Sequence, residues 1–392
     1  MFDFCIVGAG MVGSSLALGL VQQGYQVALI EAEPPVPFEP QQPPDLRVSA
    51  ISMASVDLLS ALGAWPHIMA MRTRAYSRLS VWEGQNSRAD FCADEVGMAR
   101  LGYFVENRLL QLGCHQALAG YKNLTWFRQS QIQYLNPQVN QGNRVGLSDG
   151  EIEARWVIGA DGARSKVRQL SNIGTSGWQY GQQAMGITVG FDSPVADWTW
   201  QQFLPSGPRA LLPMHDNFAS LIWYDAAARI KALSMLSSDK LKSEIVREFP
   251  PLEGDFEVLG KAAFALTRSH ASRYVVPGTI LIGDAAHTIN PLAGQGVNLG
   301  FRDVEALLSA TASAPDLLSD DFFDLLKEKY EKPRRRDNLL MMSAMDGFYW
   351  LFGNEHRPLT WLRKGLLKMA QHGGPAKRKV LKYAMGMDKW KF

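Results

Sequence analysis

Cysteine is scarce in this sequence, and its few copies show no pattern. The chain has three cysteines, which form neither a CxxC pair nor a zinc-like spacing: Cys5, Cys92 and Cys114. An odd, scattered set excludes a disulfide framework and fits a reducing compartment. The seven histidines form no HExxH or comparable cluster, so we also expect no metal site. These absences favour a cytoplasmic protein over a secreted scaffold or a zinc hydrolase.

Long hydrophobic runs are missing as well. The most apolar stretch near the end of the chain, residues 339–352, is interrupted by Asp346 and is shorter than the roughly 18 to 20 residues that span a bilayer. The sequence runs from Phe2 directly into an apolar segment, without the basic region and cleavage site of a secretory leader. We therefore expect no spanning helix. Peripheral contact with the inner membrane stays open.

Glycine forms a motif near the start of the chain. An apolar segment ending at Val7 leads into Gly8-Ala9-Gly10-Met11-Val12-Gly13, followed by a helical pattern and a second apolar segment that ends in Glu31. A GxGxxG turn between strand and helix predicts a dinucleotide-binding βαβ unit. Gly8 permits the tight turn, Gly10 lets a pyrophosphate approach the backbone, and Gly13 lets the helix pack closely. Glu31 is then expected to accept hydrogen bonds from the adenosine ribose.

The rest of the chain divides by its residue pattern. Residues 34–44 are rich in proline and predict an extended loop, and a helix is predicted over 52–62. Two more apolar segments, 156–159 and 279–283, each lead into a glycine–aspartate turn, and we expect them to join the first strand in one parallel sheet. Residues 180–266 alternate and are rich in tryptophan, which predicts an antiparallel sheet in a second lobe. Helical patterns return from Phe322 onward.

Two further motifs narrow the choice of dinucleotide. They are Gly159-Ala160-Asp161-Gly162-Ala163-Arg164-Ser165 and Gly283-Asp284-Ala285-Ala286-His287, with Pro291, Gly294-Gln295-Gly296 and Asn298 beyond. They resemble the DG and GD motifs of the para-hydroxybenzoate hydroxylase-like flavoprotein monooxygenases. The resemblance implies noncovalent FAD, with Asp284 on its ribityl chain and Asp161 close to FAD and to the route of NAD(P)H. A carboxylate suits a row of ribityl hydroxyls because it accepts several hydrogen bonds at once.

The same resemblance extends the expected site. Arg47 is expected close to the cofactor after the second strand, and Arg108, at the start of a helix, near the pyrophosphate; a solvated surface charge is the alternative for Arg47. Asn298 is expected to complete the cofactor site. Four residues are expected to face the flavin: Pro291, Gly294, Gln295 and Gly296. In the tryptophan-rich lobe three residues are assigned to the substrate wall, with a plain sheet core as the alternative: Trp200, Gln202 and Trp223.

The implied fold class is α/β, with a Rossmann-like FAD-binding domain and an inserted antiparallel substrate domain. The FAD-binding domain is expected to be discontinuous, at 1–75, 98–178 and 268–345. The substrate domain is expected at 76–97 and 179–267. A basic, helical C-terminal segment is expected at 346–392.

Charge sets that C-terminal segment apart. The whole chain carries a net +2, yet from Asn354 to Phe392 ten lysines and arginines stand against two acids, so this tail has +8 and the preceding residues −6. Its apolar residues recur at helical spacing: Leu359, Leu362, Leu366 and Met369. Two interpretations stay open: a helix held at an anionic membrane or against partner enzymes, and a basic helix packed on the FAD-binding domain. We expect no nucleic-acid partner.

At finer grain, the sequence looks like the ubiquinone-biosynthesis hydroxylases in three segments: 200–209, 216–225 and 287–296. The resemblance implies that reduced FAD takes up O₂ as a C4a-hydroperoxide and hydroxylates a polyprenyl demethoxy-benzoquinol, with NAD(P)H as reductant. A polyprenyl quinol is then the substrate, and other enzymes of ubiquinone biosynthesis are open partners. The alternatives are a sister hydroxylase acting at another ring position and a noncatalytic flavoprotein scaffold. A halogenase is disfavoured because Trp198-Thr199-Trp200 lacks the Ile-Pro of a WxWxIP motif.

Overall fold

The computed structural model describes most of the chain in five continuous stretches. They are residues 1–84, 87–138, 142–289, 296–314 and 316–353, with single residues of the C-terminal segment: Arg363, Gly365, Leu367, Gln371, Gly374, Lys377, Arg378 and Met385. Within this part of the chain, no helix is both long and apolar enough to cross a membrane.

The strands, numbered in chain order, are β1 (Phe2–Val7), β2 (Val27–Glu31), β3 (Val48–Ser52), β4 (Arg74–Tyr76), β5 (Arg78–Glu83), β6 (Ser87–Cys92), β7 (Gly102–Glu106), β8 (Leu124–Arg128), β9 (Ile132–Gln138), β10 (Gly142–Leu147), β11 (Gly150–Gly159), β12 (Thr175–Phe191), β13 (Trp198–Phe203), β14 (Arg209–Pro213), β15 (Phe218–Ala226), β16 (Phe256–Ala271), β17 (Val275–Val276), β18 (Thr279–Leu281) and β19 (His287–Thr288).

The helices are α1 (Met11–Gln22), α2 (Met53–Ala61), α3 (Trp65–Met71), α4 (Asn107–Ala117), α5 (Lys166–Leu170), α6 (Ala227–Ser234), α7 (Ser238–Glu248), α8 (Gly296–Thr311), α9 (Asp320–Leu326) and α10 (Lys332–Phe352). A π-helical turn at Lys327–Glu331 joins α9 to α10.

A mainly parallel sheet forms the centre of the first lobe, in the order β17-β18-β11-β1-β2-β8. Strand β1 pairs in parallel with β2 and with β11, and β18 pairs in parallel with β11. Because the carboxyl ends of parallel strands meet at one edge, the turns that follow β1, β11 and β18 come together there. A small antiparallel sheet, β3-β7-β4, lies in sequence between β2 and β8.

The second lobe is built on a sheet of order β19-β16-β12-β15-β14-β13-β5-β6, antiparallel except where β13 meets β5. The predicted fold class, a Rossmann-like lobe with an antiparallel sheet, is confirmed. The prediction of sheet alone over 180–266 missed α6 and α7. Helix α7 has a signal that was overlooked: Ser237 caps its N-terminus, and Leu241 and Ile245 lie one turn apart on its buried face.

Candidate active site

The glycine turn after β1 is packed tightly at two of its three glycines. Gly8 has a φ of +99°, and a Cβ added to it would lie 2.6 Å from the carbonyl oxygen of Ala160. A Cβ on Gly13 would lie 1.9 Å from the carbonyl oxygen of Gly8, so only glycine lets α1 approach the turn. At Gly10 an added Cβ meets no atom within 4 Å. The open position is therefore the one where the motif expects a pyrophosphate.

The peptide of Ala9, in the middle of this turn, is held on both sides. Its N–H donates to Glu31 Oε2 at 2.9 Å, and its carbonyl oxygen accepts from Ser14 Oγ at 2.7 Å and Gln111 Nε2 at 2.9 Å. His115 Nε2 lies 2.8 Å from the same carbonyl oxygen. Burial lowers the pKa of His115, which favours a neutral ring. Ser14 and His115 were not predicted; His115 follows Gln111 by one turn of α4, and that spacing is the signal that could have found His115.

Glu31 keeps acceptor capacity in this arrangement. Its second carboxylate oxygen accepts the N–H of Glu33 at 2.9 Å. Burial raises the pKa of Glu31, and the backbone hydrogen bonds oppose that shift. A carboxylate has about four lone-pair sites, so two backbone donors leave room for ribose hydroxyls.

Asp161, after β11, has one occupied and one unoccupied carboxylate oxygen. Oδ2 accepts the N–H groups of Lys166 at 2.7 Å and Val167 at 3.1 Å, and so holds the start of α5. Oδ1 is shielded from solvent and has no hydrogen-bond partner within the described part of the chain. A shielded carboxylate oxygen without a donor is costly unless a ligand supplies one.

Asp284, after β18, lies at the surface and is still surrounded by protein atoms, a combination expected for the wall of a deep cleft. Its pKa is raised by desolvation and by the negative charge of Asp303, against the opposing effects of His287 and Arg47. The electrostatic interaction with Arg47 brings two of the predicted cofactor residues into one neighbourhood. Arg47 itself is exposed, and its carbonyl oxygen accepts the N–H of Asn107 at 2.9 Å.

A buried ionic network lies directly behind Asp284. Asp303 on α8 is fully buried and accepts from Gly283 N at 2.9 Å and Arg334 Nε at 2.8 Å, and lies 2.5 Å from His287 Nε2. Desolvation raises the pKa of Asp303, but the charges and hydrogen bonds of His287 and Arg334 outweigh it and hold the pKa at about 2. This network fixes the turn that carries Asp284.

Two predicted cofactor residues are engaged elsewhere. Asn298 is buried; its Oδ1 accepts from Ser52 N at 3.0 Å and Ser55 Oγ at 2.9 Å, and its Nδ2 donates to Ala50 O at 2.8 Å. These bonds join α8 to β3 and α2, and they use the Oδ1 and one of the two Nδ2 donors of this side chain.

Arg108 is likewise held by the protein. It forms a bidentate pair with Asp45, at 2.8 Å and 3.0 Å, and donates to the carbonyl oxygens of Val36 and Pro37 at 2.9 Å. Its main role is therefore to fix the proline-rich loop that precedes Arg47. Four of its five N–H donors are used in these bonds, which leaves one for the expected pyrophosphate contact.

The loop expected to face the flavin is only partly described. Pro291, Gly294 and Gln295 lie outside the described residues. Gly296 begins α8, and a Cβ added to it meets no atom within 4 Å. The N-terminus of this long helix offers unpaired backbone N–H groups and a positive dipole end.

The three residues assigned to the substrate wall lie on the face of the substrate sheet that its helices cover. Trp223 is fully buried against Phe249, which follows α7, with ring centroids 5.3 Å apart, and Trp200 packs on the same phenylalanine. Gln202 pairs with Arg209, which pairs with Trp223, so it shares their face. Side chains alternate along a strand, and α6 and α7 cover this face. The structure thus places Trp200 and Trp223 in the core between the sheet and its helices, which is the alternative named for them, with Gln202 partly buried on the same face.

The opposite face of the sheet meets the loop that carries Arg47. Gly186 pairs with Ile222, and a Cβ added to Gly186 would lie 3.4 Å from the carbonyl oxygen of Leu46, next to Arg47. One row further, Thr188 pairs with Ser220; both hydroxyls are shielded and have no partner among the described residues. This face combines small, aliphatic and hydroxyl side chains, and it lies opposite the loop that carries Arg47.

The described residues of the tail pack on the body of the protein. Arg363 is buried, with its Nε 3.0 Å from both carboxylate oxygens of Glu83, and Lys377 Nζ lies 2.8 Å from Glu95 Oε1. Gln371 accepts the N–H of Asp90 at 2.7 Å. Their partners lie on and just after β5 and β6, at the edge of the substrate sheet. The carbonyl oxygen of Met385 accepts the N–H of Ala54 on α2 at 3.3 Å, so the tail also contacts the first lobe. Part of the tail's positive charge thus neutralises acids of the body.

Comparisons with known proteins agree with this geometry. Residues 1–317 match the family model described as FAD binding domain, and residues 263–390 match that of squalene epoxidase. The 3-demethoxyubiquinol 3-hydroxylase of Escherichia coli K12 is 46% identical over 386 residues, which cover 98% of each chain. The ubiquinone hydroxylase UbiL of Rhodospirillum rubrum is 34% identical, over 98% of this chain and 89% of its own.

Among solved structures, the p-nitrophenol 4-monooxygenase PnpA of Pseudomonas putida DLL-E4 has a TM-score of 0.80 at 17% identity, covering 100% of this chain and 99% of its own. At that identity the likeness shows the fold alone.

Proposed function

This chain belongs to the FAD-binding domain family and, within it, to the FAD-dependent monooxygenases, and from that premise we propose that it hydroxylates the ring of a polyprenyl demethoxy-benzoquinol. NAD(P)H is the reductant and O₂ the oxygen donor. The observation that carries the choice of substrate is the full-length likeness to the 3-demethoxyubiquinol 3-hydroxylase.

The residues that would hold FAD fit the cofactor's chemistry. The Gly8–Gly13 turn and the N-terminus of α1 would bind the pyrophosphate, for which Gly10 leaves the backbone open. Glu31 would accept ribose hydroxyls and Asp284 the ribityl hydroxyls. The shielded oxygen of Asp161 would gain a donor. When bound, FAD supplies electron transfer from NAD(P)H and the activation of O₂.

The contribution of the protein is to position the ring and exclude water. Gly186 lets the Leu46 backbone approach the sheet closely, and Ile222, its partner on the next strand, would form part of an apolar wall beside this contact. The paired hydroxyls of Thr188 and Ser220 would hydrogen-bond to oxygen substituents of the quinol, which would satisfy two shielded polar groups. Arg47 would keep a positive charge near Asp284 and the anionic parts of the cofactor. Such positioning accounts for a large share of catalysis in a reaction whose chemistry the cofactor supplies.

A coupling assay tests the proposal. The purified, FAD-loaded protein should oxidise NADH or NADPH faster when a short-chain demethoxy-benzoquinol is added, and the quinol should gain the mass of one oxygen atom. A sister hydroxylase would give the same coupling with a quinol open at a different ring position. Pyridine nucleotide oxidation that no quinol stimulates would leave a flavoprotein scaffold.

Two finer parts of the proposal concern the surroundings. We propose that the enzyme is cytoplasmic and meets its lipid-dissolved substrate by peripheral contact at the inner membrane, and that it works beside other enzymes of ubiquinone biosynthesis. The ion pairs of Arg363 and Lys377 with the body engage part of the tail's positive charge inside the protein.

A further inference from the structure

A basic cleft lies behind the parallel-sheet lobe, between β16 and the π-helical turn that joins α9 to α10. Its volume is about 510 Å³. Four cations line it: Lys327, Lys332, Arg335 and Arg336. The acids Glu328 and Glu331, with His270 and Leu339, complete the lining. We call it the lysine–arginine cleft. None of these residues takes part in the cofactor or substrate sites described above.

The cations outnumber the available acids. Lys332 Nζ pairs with Glu328 at 3.2 Å, and Glu331 accepts the N–H groups of Tyr274 at 3.1 Å and Val275 at 2.7 Å. Lys327, Arg335 and Arg336 have no ion-pair partner within the described part of the chain. The Nε–H of Arg335 is shielded from solvent and lacks an acceptor there. Such a donor calls for an anionic ligand.

The local potential agrees with this count. Burial, together with the positive charges of Arg335, His287 and Arg268, lowers the pKa of His270 to about 4. His270 is therefore neutral at pH 7 and shares a 2.8 Å hydrogen bond with the hydroxyl of Tyr274. The floor of the cleft is thus a neutral polar surface, and its rim carries the positive charge.

An exposed apolar surface borders the cleft on α10. Leu339 and Leu340 follow Arg336 by three and four residues, so they lie next to it on the same side of the helix. They are 46% and 42% exposed, and further along α10 Phe348 and Trp350 are 45% and 65% exposed. A cationic rim beside exposed leucines and a tryptophan matches an anionic amphiphile, in which a charged head group adjoins hydrocarbon.

We propose that the lysine–arginine cleft binds the phosphate of an anionic phospholipid, with Leu339 and Leu340 at the apolar edge of the bilayer. Its purpose rests on the proposed function, because a polyprenyl quinol is dissolved in lipid, but the binding itself does not depend on turnover. The surface lies on the body of the protein and is separate from the C-terminal tail.

Sedimentation with vesicles tests the proposal on the full-length, FAD-loaded protein. One set of vesicles is phosphatidylcholine alone, and the other contains about a quarter phosphatidylglycerol. The wild type should bind only the second set. Lys327→Gln combined with Arg336→Gln should weaken that binding by roughly tenfold to thirtyfold, because each lost charge removes a similar share of the attraction. The control, Lys231→Gln with Lys240→Gln, removes the same charge from exposed lysines on α6 and α7 and should change it by less than about twofold.

A second double variant distinguishes binding of a lipid from binding of free phosphate. Leu339→Ser with Leu340→Ser removes the apolar edge and keeps every charge. It should therefore weaken vesicle binding severalfold, whereas binding of glycerol phosphate, measured by calorimetry, should be unchanged. Equal vesicle binding by the wild type, the Lys327/Arg336 variant and the control would refute the cleft and favour the tail. If the Leu339/Leu340 variant binds vesicles as well as the wild type and glycerol phosphate binds tightly, the ligand of the cleft is a soluble phosphate instead. Hydroxylation of a water-soluble quinol, measured in parallel, decides the proposed function independently.

Discussion

Each lobe has a layer of residues facing the cleft and a second layer buried directly behind it, and the two layers differ in chemistry. In the substrate sheet, Ile222 is half-buried on the face toward the loop that carries Arg47, while its neighbour Trp223 is buried against Phe249 on the other face. In the parallel-sheet lobe, Asp284 is accessible while Asp303 is fully buried in an ionic network. The rear layer thus holds a large aromatic residue in one lobe and a paired charged group in the other.

The largest expected effect of a rear-layer change is at Trp223. Trp223→Ala should lower the free energy of unfolding by about 3 to 5 kcal/mol, because it empties a core position beside Phe249 and uncovers the buried guanidinium of Arg209, which lies 4.7 Å from the indole. Urea denaturation of the holoenzyme measures this. Trp178→Ala, on the same sheet but 49% exposed, is the control and should cost less than about 1 kcal/mol. Equal losses for both variants would contradict the two-layer description.

Asp303 should show the rear layer's dependence on pH. Its folded pKa of about 2 lies below the unfolded value of about 3.9, so the carboxylate stabilises the fold above about pH 4 and loses this contribution as the pH falls toward 2. Asp303→Asn should cost about 3 kcal/mol at pH 7, since Arg334 stays buried without its buried counter-charge. It should also flatten the stability profile between pH 4 and 2.

The matched control for Asp303 is Asp337→Asn. Asp337 pairs with the same Arg334, at 2.5 Å, but its side chain is 31% exposed, and the loss should be below about 1 kcal/mol. A pH profile that is the same in wild type and Asp303→Asn would show that the acid-sensitive group lies elsewhere.

In the front layer, Asp284→Ala should act on the cofactor rather than on the fold. Loss of a charged acceptor for ribityl hydroxyls should weaken FAD binding by roughly tenfold to a hundredfold. Flavin fluorescence titration of the apoprotein measures it, and Asp324→Ala, an exposed aspartate on α9, is the control. Full retention of FAD by Asp284→Ala would exclude the proposed ribityl contact.

The smallest of these effects is expected at Ile222. Ile222→Trp fills space in front of the sheet, so it should lower kcat/KM for the quinol by about tenfold, mainly through KM, while FAD binding stays unchanged. Val246→Trp adds similar bulk on exposed α7, behind the sheet, and should leave the kinetics unaltered. An unchanged kcat/KM in Ile222→Trp would mean that this face does not touch the substrate.

Sequence reasoning succeeded where the chemistry is local. The strand–turn–helix at the glycine motif and the fold class follow from short-range patterns, and the carboxyl ends of parallel strands necessarily bring the three motif turns to one edge. It failed at the substrate sheet because alternation gives two faces without saying which one a helix covers. That choice depended on α6 and α7, which were not predicted.

Side-chain partners were the other limit. Arg108 and Asn298 have residue types suited to a cofactor, yet distant partners, Asp45 and Ser52, use their polar atoms. Arg209 and Asp225, which belong to the segments that indicated the subfamily, form an ion pair at 3.1 Å behind the sheet. Residues that identify relatives therefore include structural contacts as well as substrate contacts.

The central claim is that this protein inserts one atom of O₂ into a quinol ring, and labelling with ¹⁸O₂ tests it most directly. The FAD-loaded protein, NADH or NADPH and a short-chain demethoxy-benzoquinol are incubated under ¹⁸O₂, and the product is analysed by mass spectrometry. The account predicts one ¹⁸O atom in the hydroxylated ring and the second in water. Label confined to hydrogen peroxide or water, with the ring unchanged across several quinol analogues, would contradict it.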